Sequence, residues 1–161
     1  MKKWIIIGII AMVVLLTGVS VYAYSTVRAP LTEGYEQARQ TILDSGELQS
    51  VDDVSYFHGE DSFFVVMGLD TEGDQAIAWV PQDQEDSTTV LKESDGITPE
   101  EAQSITESAV NASKIQSVKL GKEGNTALYE VKYLTESNQQ GYYYLTFQDG
   151  SFIKRYSLNN D

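Results

Sequence analysis

The sequence offers a single histidine, His58, as a candidate general base. A Ser-His-Asp triad or a two-histidine zinc site would need every other group to converge on this one imidazole. His58 precedes a predicted turn, a setting typical of a structural residue. Glycoside hydrolysis requires a pair of carboxyl groups in different environments, and nothing marks any two of the 24 acidic residues as such a pair. We therefore expect no catalytic residues and no enzymatic activity.

Two acidic runs, residues 70–74 and 83–86, carry the oxygen ligands that Ca²⁺ prefers. Neither run has the twelve-residue spacing or the distal glutamate of an EF-hand. Hairpin turns and a solvated loop are the alternative interpretation of both runs. The chain has no cysteine, which excludes disulfides and thiolate metal sites. We expect neither a metal ion nor a cofactor.

Residues 142–147, Tyr-Tyr-Tyr-Leu-Thr-Phe, form an aromatic run that alternates as a strand does. Alternation places Tyr143 on one face of the strand and Tyr142 and Tyr144 on the other, and one of these two faces can enter the core. Exposed tyrosines are favoured anchors for protein partners, whereas cross-strand pairing on a half-wet sheet is the alternative interpretation. The candidate partner-binding residues are Tyr142, Tyr144 and Tyr133.

The elements that position these residues occur as two similar series. In the first, a helix over 33–45 begins after the N-cap candidate Thr32 and ends at Gly46. Period-two patterns then predict strands at 51–58, 62–69, 75–80 and 88–92.

The second series begins with Thr98-Pro99-Glu100-Glu101, which combines an N-cap, a proline at the first helical position and a glutamate at the third. This predicts a helix over 99–111 with Ala102, Ile105 and Ala109 on one face. Strands are predicted at 114–120, 127–135, 141–147 and 151–158, and Asp149-Gly150 indicates a hairpin.

An offset of about 66 residues superimposes the two series, which indicates a structural duplication. We therefore predict an α+β protein with two small units, 32–95 and 96–161. In each unit one helix packs on an antiparallel sheet, because neither element can bury its apolar side alone.

Residues 4–24 contain no charge and are long enough to cross the hydrocarbon core of a membrane. Lys2 and Lys3 precede this segment, so we expect a cytoplasmic N-terminus and an extracellular C-terminal region. Residues 1–24 would form a short cytoplasmic segment and the single-pass anchor in the cell membrane. Residues 25–31 would form a juxtamembrane linker. The membrane-anchor residues would be Trp4, Tyr22 and Tyr24. The alternative is a cleaved signal peptide, for which Val21-Tyr22-Ala23 offers a site.

The formal charge is −13 for the whole chain and −15 beyond residue 24, where all 24 acidic but only nine of the eleven basic residues lie. A surface of this charge repels nucleic acid and anionic headgroups. Nucleic acid is therefore not an expected partner.

The run Ile97-Thr98-Pro99-Glu100-Glu101-Ala102-Gln103-Ser104-Ile105, followed by a Tyr-rich hairpin, resembles the start of a PepSY domain, a small exported module similar to the cystatin fold. Thr106 departs from the pattern, since such domains often carry alanine there. Taken whole, with one N-terminal span and two units, the chain resembles the TseB family, formerly YpmB.

This resemblance implies a non-enzymatic, membrane-anchored regulator of cell-wall elongation in Gram-positive bacteria, with two cystatin-like units. It also implies binding to an elongation penicillin-binding protein at the outer face of the membrane, without a small-molecule substrate. PepSY modules elsewhere are associated with peptidase inhibition, so an exported peptidase inhibitor or chaperone-like module is the alternative. A passive wall-binding module is a third hypothesis.

Overall fold

The computed structural model describes residues 33–83 and 87–158. The first helix, α1, covers residues 33–45, as predicted. It ends at Gly46, whose backbone has φ of 74° and whose N–H donates to the carbonyl of Leu43 at 3.1 Å. Glycine suits this position because side chains disfavour a positive φ.

The first sheet is an antiparallel meander with the strand order β1-β2-β3-β4. Its strands follow the predicted order, although β1 begins three residues earlier than predicted. They are β1 (Leu48–His58), β2 (Ser62–Asp70), β3 (Gln75–Pro81) and β4 (Thr89–Lys92). A short 3₁₀ turn, Glu93–Asp95, follows β4.

The second helix, α2 (Pro99–Ala109), has the capping box that the sequence predicts. Thr98 Oγ1 accepts from the backbone N–H of Glu101 at 3.2 Å, and the Glu101 carboxylate accepts from the N–H of Thr98 at 2.8 Å. These bonds satisfy two of the N–H groups that a helix start leaves unpaired, so the start of α2 is fixed locally.

The second sheet repeats the first, with the order β5-β6-β7-β8 and antiparallel pairing throughout. Each sheet follows one helix, so the described residues form an α+β fold with two antiparallel four-stranded sheets, consistent with two small units. The strands are β5 (Ala112–Glu123), β6 (Thr126–Thr135), β7 (Gln140–Thr146) and β8 (Phe152–Leu158).

The first sheet is buried on both faces. One face packs under α1, where Ala38 and Ile42 share a cluster with Phe64 and Val66. The opposite face belongs to a second cluster that also contains core residues of the second sheet. Burial on both faces explains why β2 and β3 contain continuous apolar runs rather than strict alternation.

Aromatic contacts join the two sheets into one core. The ring of Trp79 on β3 meets that of Phe147 edge-on, with centroids 5.8 Å apart. Phe57 on β1 lies against Gly121 on β5, where any Cβ would collide with its ring. The Lys122 ammonium stands 5.2 Å from the ring centroid of Phe63. The two units therefore stabilise each other.

The predicted apolar face of α2 needs a correction. Ala102 is fully buried and Ile105 is half-buried, but Ala109 is exposed. Thr106 takes the inner position instead, and its hydroxyl donates to the Ala102 carbonyl at 2.9 Å. A threonine fits this buried site because the hydroxyl finds its partner within the helix.

The predicted span and anchor residues, Trp4, Tyr22 and Tyr24, lie outside the described residues, as does the N-cap candidate Thr32. Neither helix in the described part of the chain has the length and apolar character that a membrane crossing requires.

Candidate partner-binding surface

Two of the three candidate tyrosines lie in the core, which corrects the expectation that they would be displayed. Tyr133 is 4% exposed and Tyr144 is 8% exposed. The Tyr144 hydroxyl donates to Glu130 Oε2 at 2.7 Å. Burial, together with this hydrogen bond, raises the pKa of Tyr144. Both side chains are therefore poorly placed to meet a partner directly.

Tyr142 is half-buried on β7, opposite Tyr156 on β8 and Lys132 on β6. Its hydroxyl accepts a hydrogen bond from the side-chain amide of Gln140. The Lys132 ammonium lies 5.8 Å from the ring centroid. Of the three candidates, Tyr142 alone keeps a substantially accessible side chain.

The largest exposed apolar side chains in the described part of the chain lie on β8, which sequence reasoning did not single out. Phe152 is 56% exposed, and Tyr156 and Leu158 are each 51% exposed. The strand was predicted, but its place at the edge of the sheet follows from the strand order. Because these side chains are exposed on an edge strand, β8 is a candidate interaction surface.

Lys154 and Arg155 give this strand its positive charge. Lys154 Nζ lies 2.5 Å from Glu123 and 3.9 Å from Glu60, so it bridges the second sheet to the β1–β2 turn. Burial disfavours the charged form of Lys154 and by itself would lower its pKa. Hydrogen bonds with Glu123 and Tyr156 outweigh this effect, so the pKa of Lys154 is raised.

Arg155 makes no ion pair within residues 33–83 and 87–158. It lines an open groove of about 660 Å³ between the C-terminal end of α2, the β6–β7 loop and β8. Tyr133 and Glu136 also line this groove. An unpaired guanidinium beside a groove is suited to a carboxylate, which it can bind through two parallel hydrogen bonds.

His58 lies at the end of β1 and is exposed. Its Nδ1 is 2.8 Å from Ser62 Oγ, and its ring stacks on Tyr56 with centroids 6.3 Å apart. This arrangement ties the two ends of the β1–β2 turn together, in keeping with the structural interpretation of this residue.

The acidic run at 70–74 forms the β2–β3 turn, where Asp70, Glu72 and Asp74 bring their carboxylates together. Lys92 on β4 extends its ammonium to all three, at 2.8 Å from Asp74 and 3.7 Å from Asp70, and in closest contact with Glu72. Hydrogen bonds to Asp74 and Glu72 raise the pKa of Lys92. A hydrogen bond from the backbone N–H of Asp74 lowers the pKa of Asp70. The ammonium of Lys92 thus neutralises part of the negative charge of the three carboxylates, which a metal cation would otherwise find there.

The second acidic run, 83–86, lies mostly outside the described residues.

Comparisons with known proteins give this chain a family. The profile of the "Cell wall elongation regulator TseB-like domain" matches residues 37–81. Over 150 residues the chain is 33% identical to the "Probable cell wall elongation regulator TseB" of Bacillus subtilis (strain 168), an alignment that covers 93% of this chain and 92% of the relative. The solved structure of the "YpmB protein from Bacillus subtilis" superposes with a TM-score of 0.75 at 32% identity, covering 78% of this chain and 98% of that one. The predicted resemblance is confirmed: the chain belongs to the TseB family, whose members are regulators of cell-wall elongation and not enzymes.

Proposed function

We propose that this chain is a single-pass membrane protein that regulates cell-wall elongation by binding an elongation penicillin-binding protein at the outer face of the membrane. The observation that carries the proposal is the alignment with a probable elongation regulator over 93% of the chain. The uncharged segment 4–24, preceded by two lysines, supports an anchor with the N-terminus in the cytoplasm.

The described residues support a binding role. The protein presents a strand edge with exposed aromatic and aliphatic side chains. Its single histidine, His58, stabilises the β1–β2 turn through its contact with Ser62. We further propose that the units 32–95 and 96–161 are cystatin-like, the second being a PepSY-like module. A regulator of this kind acts by occupying a surface of its partner, so it requires neither a cofactor nor a small-molecule substrate.

An anchor contributes to binding without any new contact. Two proteins confined to one membrane meet at a higher effective concentration than a secreted protein meets a membrane partner. The span thereby strengthens an interaction whose contacts all lie in the extracellular region.

Replacing residues 1–24 by a cleavable signal peptide tests both parts of this proposal. The tagged full chain and the secreted form are isolated from cells, and co-isolated penicillin-binding proteins are detected with a fluorescent penicillin. We expect the full chain to recover one such protein and the secreted form to recover severalfold less. A chain with an unrelated membrane span is the control and should restore recovery.

The outcomes separate the two parts. Equal recovery by the secreted form would contradict the role of the anchor. Recovery of no penicillin-binding protein by any form would contradict the partner, and specific capture of an exported protease would favour the peptidase-inhibitor alternative.

A further inference from the structure

We propose that the outer edge of β8 binds an extended segment of the partner protein as an additional strand, and that Arg155 pairs with a carboxylate of this segment. The inference rests on the proposed function for the identity of the partner, and it adds the surface and the chemistry of the contact.

The backbone of β8 is available for pairing on one side. Among the described strands β8 pairs with β7 alone, so it is the outermost described strand of its sheet. An edge strand presents a row of unpaired N–H and C=O groups that can bind an extended chain. Proteins often protect such edges with prolines or exposed charges; β8 has no proline, Lys154 is held by Glu123 on the face of the sheet, and Arg155 is the exposed charge that a bound segment has to accommodate.

The side chains of β8 provide contacts for both faces of an added strand. Phe152 lies against Tyr143, with ring centroids 5.1 Å apart, while Tyr156 lies against Tyr144 at 5.8 Å. Each ring is supported by a buried tyrosine and still exposes about half of its surface. An added strand with apolar residues on both of its faces would cover these exposed surfaces.

The charges of the two units favour an acidic segment as the one that binds β8. Residues 33–95 carry sixteen acidic and two basic residues, a formal charge of −14, whereas residues 96–161 carry eight acidic and six basic, or −2. An acidic segment is therefore repelled by the first unit and meets least repulsion at the second. β8 contains no acidic residue, and Arg155 makes no ion pair within the described residues.

A second copy of this chain is a poorer occupant. Antiparallel pairing of two β8 strands about a two-fold axis would bring Lys154 and Arg155 of one copy close to those of the other. Like charges at opposed positions destabilise strand pairing. The net charge of −13 on each copy adds a further repulsion.

The test uses the full chain in its membrane, with a photo-crosslinking amino acid at Ser157, an exposed position on β8. Captured penicillin-binding protein is quantified with fluorescent penicillin in four backgrounds: unchanged, Arg155→Glu, Arg155→Lys and Lys119→Glu. Lys119 is the matched control, since it is an exposed lysine on β5 at the opposite edge of the same sheet. Arg155→Lys is included because it keeps the charge but removes the two-pronged geometry.

We expect Arg155→Glu to reduce capture at least tenfold, Lys119→Glu to change it less than twofold, and Arg155→Lys to give an intermediate loss. Amide hydrogen exchange of the same full-length proteins should show slowed exchange of β8 peptides in the complex. This second measurement reports backbone pairing, which a purely side-chain contact would not produce.

Four outcomes would overturn the inference: capture when the crosslinker is placed at Tyr142 on β7 but not when it is placed at Ser157, equal loss in the Arg155→Glu and Lys119→Glu variants, unchanged exchange of β8, or a crosslinked homodimer from Ser157. The first three leave the proposed function intact whenever the penicillin-binding protein is still recovered. Failure of the unchanged chain to recover that protein would instead contradict the proposed function.

Discussion

Replacing Phe147 by alanine tests whether the two sheets share one core. Phe147 follows β7, is 1% exposed, and contacts both Trp79 of the first sheet and Tyr129 of the second, with centroids 5.8 Å and 6.0 Å away. Truncating a buried phenylalanine to alanine costs roughly 3–5 kcal/mol. We expect a loss in the upper part of this range, because two aromatic pairs disappear with the ring.

The loss should appear in both sheets. If the core is continuous, the free energy that Phe147 contributes is shared by β3 and β7, so the two sheets unfold in one transition. Urea unfolding of the full chain in detergent, followed by the fluorescence of buried Trp79 and by hydrogen exchange, measures this. Phe152→Ala is the matched control: the same atoms are removed from a ring that is 56% exposed. That change should alter the free energy of unfolding by less than about 1 kcal/mol.

Two results would refute the shared core. In the first, peptides of β6 and β7 would lose protection in Phe147→Ala while those of β2 and β3 kept theirs. In the second, the unchanged protein would show two separate unfolding transitions, which would mean that each sheet is stable by itself.

Three further predictions concern single side chains. Ile105→Asp should destabilise the chain by roughly 2–4 kcal/mol, because it places a carboxylate in the half-buried interface between α2 and the second sheet. The control Ser104→Asp, on the exposed side of the helix, should be nearly neutral. Equal melting temperatures of the two variants would refute the assigned face of α2. Lys92→Met should lower the melting temperature, because it leaves three carboxylates without their lysine partner. Added salt should restore part of the melting temperature by screening the repulsion between them. A decrease in melting temperature that salt does not change would contradict the electrostatic cause. Because the pKa of Tyr144 is raised in the folded state, the stability linked to its neutral form is present below about pH 10 and is lost as the pH rises above that value. Tyr144→Phe should therefore show a smaller drop in the free energy of unfolding between pH 8 and pH 11 than the unchanged chain. Equal drops in the two proteins would contradict this linkage.

Local signals predicted most of the secondary structure. The residues around Thr98 and Glu101 form the capping box that their spacing indicates, and Gly46 ends α1. Strand order also followed from the sequence, since short turns such as Asp149-Gly150 allow little except antiparallel neighbours. These features depend on residues close together in the chain, which is why a single sequence suffices to predict them.

Strand limits were less predictable, because β1 and β5 continue beyond the regions with a regular apolar alternation. Both strands contain register shifts against their partners near where they begin, between Leu48 and Ser50 in β1 and between Ala112 and Lys114 in β5. A shift interrupts the period-two pattern while the backbone pairing continues. The pattern therefore stops before the strand does.

The fate of the tyrosines depended on contacts between distant parts of the chain. Alternation correctly separated Tyr142 and Tyr144 from Tyr143, but it did not reveal that Tyr144 contacts Glu130 and Tyr156 and is buried. Likewise, the unbroken apolar runs in β2 and β3 carried a signal for burial on two faces, and this signal would have predicted the shared core. The order of the strands placed β8 at an edge, but the exposure of Phe152, Tyr156 and Leu158 was visible only in the folded structure.

A role of this chain in cell-wall elongation is tested by the rate at which new peptidoglycan is inserted into the side wall of growing cells. It is measured with a fluorescent D-amino acid in Bacillus subtilis lacking the 33%-identical relative, with and without this chain. We predict that loss of the relative alters side-wall insertion and that the full chain restores it, while the chain without residues 1–24 restores it only in part. Unaltered insertion in the absence of the relative, or no restoration by a full chain that reaches the membrane, would contradict a role in elongation.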